Sequence, residues 1–293
     1  MRQSASAMPS RRAYDLALLA ALAVSLVLFL APQFFFVRQS FYESAGMGVV
    51  GTDLTLTNYV QLFADRFYLD AFARTVALSA AATVAGLLLA FPTAYYLARL
   101  SAGVVRWLIV LLLISSFVSI VVKVLGLTLL LGSGGPVAAA LHALSGGWWS
   151  GSILHNNTAV TIGFVQYTLP LLVMLLFGVI QNIPRSLEEA ALVHGASDAR
   201  MAWRVLLPLA FPGIVTAALI SFNMNMGAFT SAVLLGGGNV LTIPVLIQRK
   251  IILEVDYPAA AALSVALTAA VIAINLLVLA IRPRASRAAS ETA

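Results

Sequence analysis

The sequence contains no cysteine, and only 10% of its residues are charged. Without cysteine, disulfide bonds, thiolate metal sites and cysteine nucleophiles are excluded. The three histidines, His142, His155 and His194, do not form an H-E-x-x-H pair or another metal-ligand spacing, so we predict no metal site and no catalytic residue. Because 61% of the residues are apolar, the composition is typical of an integral membrane protein.

A nucleotide-binding motif is also missing. Neither Lys123 nor Lys250 follows a glycine, so the chain has no G-x-x-x-x-G-K-[ST] phosphate loop, and Gly236–Gly238 is better explained as a tight turn. We therefore predict no bound cofactor. If the protein depends on ATP, a separate polypeptide must hydrolyse it, and this chain is not itself an enzyme.

The apolar residues fall into six runs, each long enough to cross a bilayer, since about 20 residues span its hydrocarbon core. The predicted spans are about 16–37, 72–98, 107–131, 156–180, 209–231 and 259–281. Together they form a transmembrane domain over 16–281, between polar tails at 1–15 and 282–293. The first run also resembles a signal peptide, but it is long and lacks a clear A-x-A site, which favours an uncleaved span.

Basic residues predict the orientation. Eleven of the 17 lie in the two tails, the turn between spans two and three and the loop at 181–208, whereas the three opposite loops hold only four. By the positive-inside rule, both termini and the 181–208 loop face the cytoplasm. This clustering at the ends of apolar runs explains the net charge of +6 without nucleic-acid binding.

The loop at 181–208 is the longest polar interruption in the second half of the chain. It has the pattern of two short helices. Ser186 and Glu189 have the S-x-x-E spacing of a capping box at the start of the first helix, and Gly195 is placed to end it. Pro208 is then expected to end the second helix, because proline lacks a backbone donor. The apolar surfaces of such short helices require a partner.

The spacing of residues in this loop resembles the EAA loop of binding-protein-dependent ABC importer permeases. Gly195 lies six positions after Glu189, and Pro208 lies thirteen positions after Gly195. The resemblance implies a coupling helix that docks in a groove of a cytoplasmic P-loop ATPase dimer. The residues that carry it are Glu189, Ala190, Ala191, Gly195, Ala196, Trp203, Leu207 and Pro208. Taken singly, Glu189 could be only a capping carboxylate and Gly195 only a helix terminator.

Further stretches between 15 and 281 are similar to the spermidine/putrescine-type branch of this family, namely SFYES, TLTNYVQLF, FPTAYYLARL, YTLPLLVM and GAFTSAVLLGGG. The resemblance implies an all-α membrane protein with six transmembrane helices and the type I ABC importer (MetI-like) permease fold. It also implies a multi-pass protein of the bacterial inner membrane that works with a second permease subunit and a periplasmic solute-binding protein. The expected cargo is a small organic solute, polyamine-like, opine-like or related.

Polar residues inside the spans are candidates for the solute pathway. A charge at mid-bilayer costs about 2.5–3.5 kcal/mol, so Lys123 should face the bundle or water, unless it extends to the membrane interface. Asparagines in spans more often join helices than bind solutes. The tentative pathway residues are Lys123, Gln166, Tyr167, Asn223, Asn225 and Phe229.

Two other classes of protein are alternatives to an importer permease. A secondary transporter or channel would work without an ATPase, but such proteins often show repeated halves and paired intramembrane charges, which this sequence lacks. The GWWSG segment at 147–151 faintly resembles an intramembrane serine protease loop. It lies in a connecting loop, however, and the last span has no histidine to act as a base.

Overall fold

The structure is a computed structural model that describes residues 11–46, 48–146 and 152–281. The protease-like segment at 147–151, residues 1–10 of the predicted first tail and the predicted second tail at 282–293 lie outside the described residues. The α-helices are α1 (Arg11–Gln39), α2 (Thr57–Ala64), α3 (Arg66–Arg99), α4 (Ala102–Phe117), α5 (Ile120–Leu131), α6 (Pro136–Leu144), α7 (Asn157–Gln181), α8 (Arg185–Val193), α9 (Asp198–Met201), α10 (Leu207–Met226), α11 (Thr230–Gly236), α12 (Ile243–Ile252) and α13 (Tyr257–Ile281).

Two short strands interrupt this helical architecture between α1 and α2. They are β1 (Tyr42–Ser44) and β2 (Val50–Leu54), and they pair antiparallel with Tyr42 opposite Leu54. A π-helical turn, Ala202–Leu206, joins α9 to α10.

Six stretches of the described chain are long and apolar enough to cross a membrane. They are Leu18–Gln39, Arg66–Arg99, Ile120–Leu144, Asn157–Gln181, Asp198–Met226 and Tyr257–Ala280. Their number agrees with the six predicted spans, and the fold class of an all-α membrane protein is confirmed.

The centre of the bundle is built on small residues of α3. Its buried positions recur every three or four residues and are mostly alanine, glycine, serine or threonine, as at Ala82, Gly86 and Ala90. A Cβ atom added at Gly86 would lie 2.8 Å from Cδ1 of Leu172 in α7, so the two helices approach closely there. Small residues permit such close helix packing, and α3 therefore lies in the core.

The third predicted span, 107–131, is not one continuous helix. Val118 and Ser119 adopt extended backbone angles, with ψ of 133° at each, and they separate α4 from α5. As a result, Lys123 lies in the first turn of a new helix, where its backbone N–H donates to the carbonyl of Ser119 at 3.1 Å.

The fifth predicted span, 209–231, also differs in its limits. One helical stretch runs from Asp198 to Met226, so the prediction that Pro208 ends a helix was wrong. The N–H of Leu207 donates to the carbonyl of Ala202, five residues earlier, which is the wider hydrogen-bond spacing of a π-helix. This local widening lets Pro208, which has no N–H to donate, remain within the helical path.

Candidate functional site

Helix α8 and its turn form the centre of the predicted site. The capping box was wrong: Pro184 occupies the N-cap position, and Ser186 lies inside the helix. Gly195 does end the helix, with φ of +81°. The N–H of Gly195 donates to Leu192 at 2.9 Å and that of Ala196 to Ala191 at 3.1 Å, which is the Schellman pattern for closing a helix.

The turn after α8 is short, and the chain re-enters a helix at once. Ser197 is the N-cap of α9, and its hydroxyl accepts from the N–H of Arg200 at 3.4 Å. Because α9 continues through the π-turn into α10, the loop is joined to a long apolar helix without a flexible linker.

The inner face of α8 is bound to α3 through an ion pair and hydrogen bonds. Glu188 is only 6% exposed, and its carboxylate accepts from Nη2 of Arg99, from Nε of Arg99 at 3.2 Å and from the hydroxyl of Tyr95 at 3.3 Å. Nη2 of Arg185 donates to the carbonyl of Ala98 at 3.2 Å. Glu188 is not among the residues predicted from the sequence, where the basic residues of the turn after span two indicate only orientation. The pair of adjacent glutamates, Glu188 and Glu189, was the signal that could have found it. Because neighbours in a helix point in different directions, both are not expected to face the same surroundings.

The outer face of α8 is exposed. Glu189 and Ala190 are exposed, and so are apolar side chains, among which Val193 is 85% exposed and Leu187 43%. By contrast, Ala191 and Ala196 pack against the buried core beside Met201. The predicted EAA set therefore divides between an outer and an inner face.

Trp203 and Leu207 face a different environment. They line an apolar cavity of about 370 Å³ together with Val84, Leu87 and Leu88 of α3. Trp203 is 72% exposed, and Pro208, one residue beyond Leu207, is also exposed. These residues of the predicted set thus lie along the bundle rather than on the outer face of α8.

Among the tentative pathway residues, only Asn223 makes a side-chain hydrogen bond in the part of the chain that the structure describes. It pairs reciprocally with Asn275 of α13, at 2.9 and 3.2 Å, a partner that the sequence analysis did not name. Asn225 is 1% exposed, and neither of its amide atoms has a partner within the described ranges. The two asparagines, two positions apart in one helix, thus have different surroundings.

The remaining tentative pathway residues lie in α5, in α7 and at the start of α11. Lys123, Gln166 and Tyr167 are half-buried, and within the described residues no hydrogen bond joins their side chains to other groups. Phe229 is 46% exposed and lines a second cavity of about 330 Å³ with Gln248 and other residues. Among the described residues, these candidates therefore form no hydrogen-bonded cluster.

At the opposite end of the bundle from α8, charges cluster after α12. Nζ of Lys250 lies 2.6 Å from Oε2 of Glu254 and 3.8 Å from Oδ2 of Asp256. Burial alone would lower the pKa of Lys250, but the hydrogen bond to Glu254 and the nearby negative charges raise it above its ordinary value of 10.5. The ammonium is therefore charged throughout the physiological range.

Known proteins resemble this chain in sequence and in structure. Residues 82–289 match the family described as binding-protein-dependent transport system inner membrane component. The spermidine/putrescine transport system permease protein PotB of Escherichia coli strain K12 is 32% identical over 250 residues, covering 83% of this chain and 88% of that protein. The molybdenum transport system permease protein ModB of Mycobacterium bovis is 29% identical over 205 residues, covering 69% of this chain and 76% of that protein.

The fold is shared with a solved transporter. A chain of the bacterial alginate ABC transporter, crystallised with a periplasmic protein that holds an alginate pentasaccharide, superimposes with a TM-score of 0.74 at 21% identity. The match covers 94% of this chain and 95% of that one. The predicted type I importer permease fold is thereby confirmed. The chain belongs to the family of inner membrane components of binding-protein-dependent transport systems, the permease subunits of ABC importers.

Proposed function

We propose that this permease subunit moves a small organic solute inward across the membrane, and that a separate P-loop ATPase dimer drives it through the Glu189–Pro208 loop. The single observation that carries this proposal is the division of α8 into two faces. Its inner face is fixed to the bundle through Glu188, while its outer face leaves Glu189 and Val193 open to a partner. An exposed apolar patch rimmed by charge is typical of a protein contact.

The proposed mechanism is alternating access. A second permease subunit completes the pathway, and a periplasmic binding protein delivers the solute. When the ATPase dimer closes, it displaces α8, and the continuous helix from Asp198 to Met226 carries that displacement into the bundle. The positive-inside rule supports a cytoplasmic position for α8 and both termini. In this arrangement the Lys250 cluster faces the periplasm, where the binding protein would act.

For the cargo, we propose a polyamine-like, opine-like or related small solute. The name of the Escherichia coli relative supports this class. Lys123 would repel a polyamine cation, so we assign it a structural or gating role and place Gln166, Tyr167, Asn223, Asn225 and Phe229 as the other candidate residues of the pathway. The binding protein, rather than this chain, would set most of the affinity.

Docking on the outer face can be tested by purification in detergent. The substitution Val193→Asp places a charge in the proposed contact, and we expect most of the ATPase to be lost when this chain is captured. Val49→Asp is the matched control, since Val49 is also exposed, at 59%, but lies beside the β-hairpin far from α8. Equal retention of the ATPase by both variants would count against docking at α8. Uptake of solute without nucleotide would instead favour a secondary transporter.

A further inference from the structure

The contact between α8 and the last turn of α3 is made of directional polar bonds. In the described part of the chain, every hydrogen bond between an α8 side chain and another helix involves Tyr95, Ala98 or Arg99. Glu188 accepts from Tyr95 and Arg99, and Arg185 donates to Ala98. The Arg99 guanidinium meets the Glu188 carboxylate with two nitrogens, and it also lies over the Tyr95 ring, 5.6 Å from the centroid. A bidentate pair of this kind fixes both distance and orientation.

The pair is also buried. The side chains of Arg99 and Glu188 are 17% and 8% exposed. A buried ion pair is seldom more stabilising than apolar residues of the same size, because both ions must be desolvated. Removing one partner is costly, however, since it leaves the other charge buried and unpaired. What such a pair supplies is a fixed geometry that resists sliding.

These bonds give α8 a second connection to the bundle. The first is covalent, back through residues 182–184 to α7 and onward through Gly195 and α9 into α10. The second is the noncovalent contact with α3. The buried stripe of small residues on α3 packs against α7 and α10. A displacement of α8 would therefore be transmitted to both α3 and α10.

We propose that Arg99 and Glu188 are positioning residues that transmit movement of α8 to α3, so that α3 and α10 move together when the ATPase closes. This inference rests on the proposed function, because it requires an ATPase acting on α8. Neither residue touches the solute. Their role is to make α3 follow each displacement of α8, so that ATP hydrolysis is not uncoupled from movement of the spans.

A purely anchoring pair would give a different result from a transmitting pair. Loss of an anchor lowers the amount of folded protein, but each surviving transporter still moves the same number of solute molecules per ATP. Loss of a transmitting contact lowers that ratio itself. The chain offers a control on α3 itself, because Asp70 lies near the Arg66 end of that helix, away from α8, and its side chain is 66% exposed.

The experiment uses the complete transporter in proteoliposomes with solute-loaded binding protein, and it measures solute transported per ATP hydrolysed. We expect Glu188→Gln and Arg99→Gln each to lower this ratio at least about fivefold, the lower end of typical coupling effects. Asp70→Asn, which makes the same carboxylate-to-amide change at the other end of α3, should leave the ratio unchanged. The double variant should fall no further than either single one, because the two residues act as one unit. The exchanged pair Arg99→Glu with Glu188→Arg should recover part of the loss.

An unchanged ratio in Glu188→Gln and Arg99→Gln, with only the yield of protein reduced, would overturn the inference and leave the pair as an anchor. That outcome would not affect the proposed function, which depends on the wild-type response. If the wild-type complex showed no ATP hydrolysis stimulated by loaded binding protein, the proposed function would fail first, and the inference would fail with it.

Discussion

The two ends of α3 are held to the rest of the molecule by different chemistry. At its Arg99 end, a buried ion pair joins the helix to α8. Toward its Arg66 end, a neutral hydrogen bond joins it to α12, since Thr75 Oγ1 accepts from the N–H of Ile243 at 2.9 Å. The same hydroxyl donates to the carbonyl of Ala71 in its own helix at 2.6 Å. One end thus depends on a buried ion pair, whose members are costly to leave unpaired, and the other depends on neutral hydrogen bonding.

This contrast shows where the helix can be disturbed most easily. A buried charge without its partner is unfavourable by several kcal/mol, whereas an unmade neutral hydrogen bond costs less. An exposed ion pair costs least of all, because water replaces the partner. The order of expected effects along α3 and α12 follows from burial and charge.

The largest effect is expected from Glu188→Ala, which leaves the Arg99 guanidinium buried without its carboxylate. We expect a loss of about 3–5 kcal/mol in the free energy of unfolding, measured by thermal unfolding of the purified protein in detergent. The control is Glu189→Ala, whose exposed carboxylate should change stability by less than about 0.5 kcal/mol. Equal losses in both variants would show that the ion pair is not the stronger contact.

A smaller effect is expected from Thr75→Val at the other end. Valine has the shape of threonine but leaves the N–H of Ile243 without its acceptor in a buried site, which should cost about 1–3 kcal/mol. Thr93→Val is the matched variant on the same helix, because the exposed Thr93 hydroxyl bonds only to Leu89 of its own helix, at 2.7 Å. Unfolding in detergent should separate the two, and a loss for Thr93→Val as large as that for Thr75→Val would contradict this explanation.

The Lys250 cluster at the end of α12 gives a prediction about pH. Its pKa is raised above 10.5, so its stabilising interactions are fully present below that pH and are lost as the pH rises through the folded-state pKa. The melting-temperature difference between wild type and Lys250→Met should therefore stay constant from neutral pH to mildly alkaline pH and shrink only above 10.5. The contribution of a partly exposed pair is about 0.2–1 kcal/mol. A difference that already vanished at neutral pH would show that the pairing is not maintained.

The smallest effect is expected at Arg66 and Asp70, the first-turn pair of α3. Their atoms lie 4.0 Å apart, and the side chains are 91% and 66% exposed. We expect Asp70→Asn to change stability by less than about 0.5 kcal/mol. If unfolding of this variant in detergent showed a loss comparable to that for Glu188→Ala, burial would not be what distinguishes the two ends of α3.

The sequence was informative where local chemistry decides the structure. The six apolar runs, the small-residue character of α3 and the helix-ending role of Gly195 follow from hydropathy, side-chain volume and backbone freedom. The break at Val118 and Ser119 was not predictable, because hydropathy does not change across it. The π-turn before Pro208 was missed because the proline was treated as a stop, although a helix can widen around it. Glu188 was missed because its partner is 89 residues away along the chain.

The most direct test of the central claim is ATP hydrolysis in proteoliposomes that contain this chain, a second permease, the ATPase and the binding protein. Wild type is compared with Gly195→Pro, which cannot adopt the φ of +81° found at the turn after α8. We predict that loaded binding protein stimulates hydrolysis by wild type and that the variant, although inserted in the membrane, loses this response. Solute uptake by wild type without nucleotide, or normal stimulation of Gly195→Pro, would contradict coupling through α8.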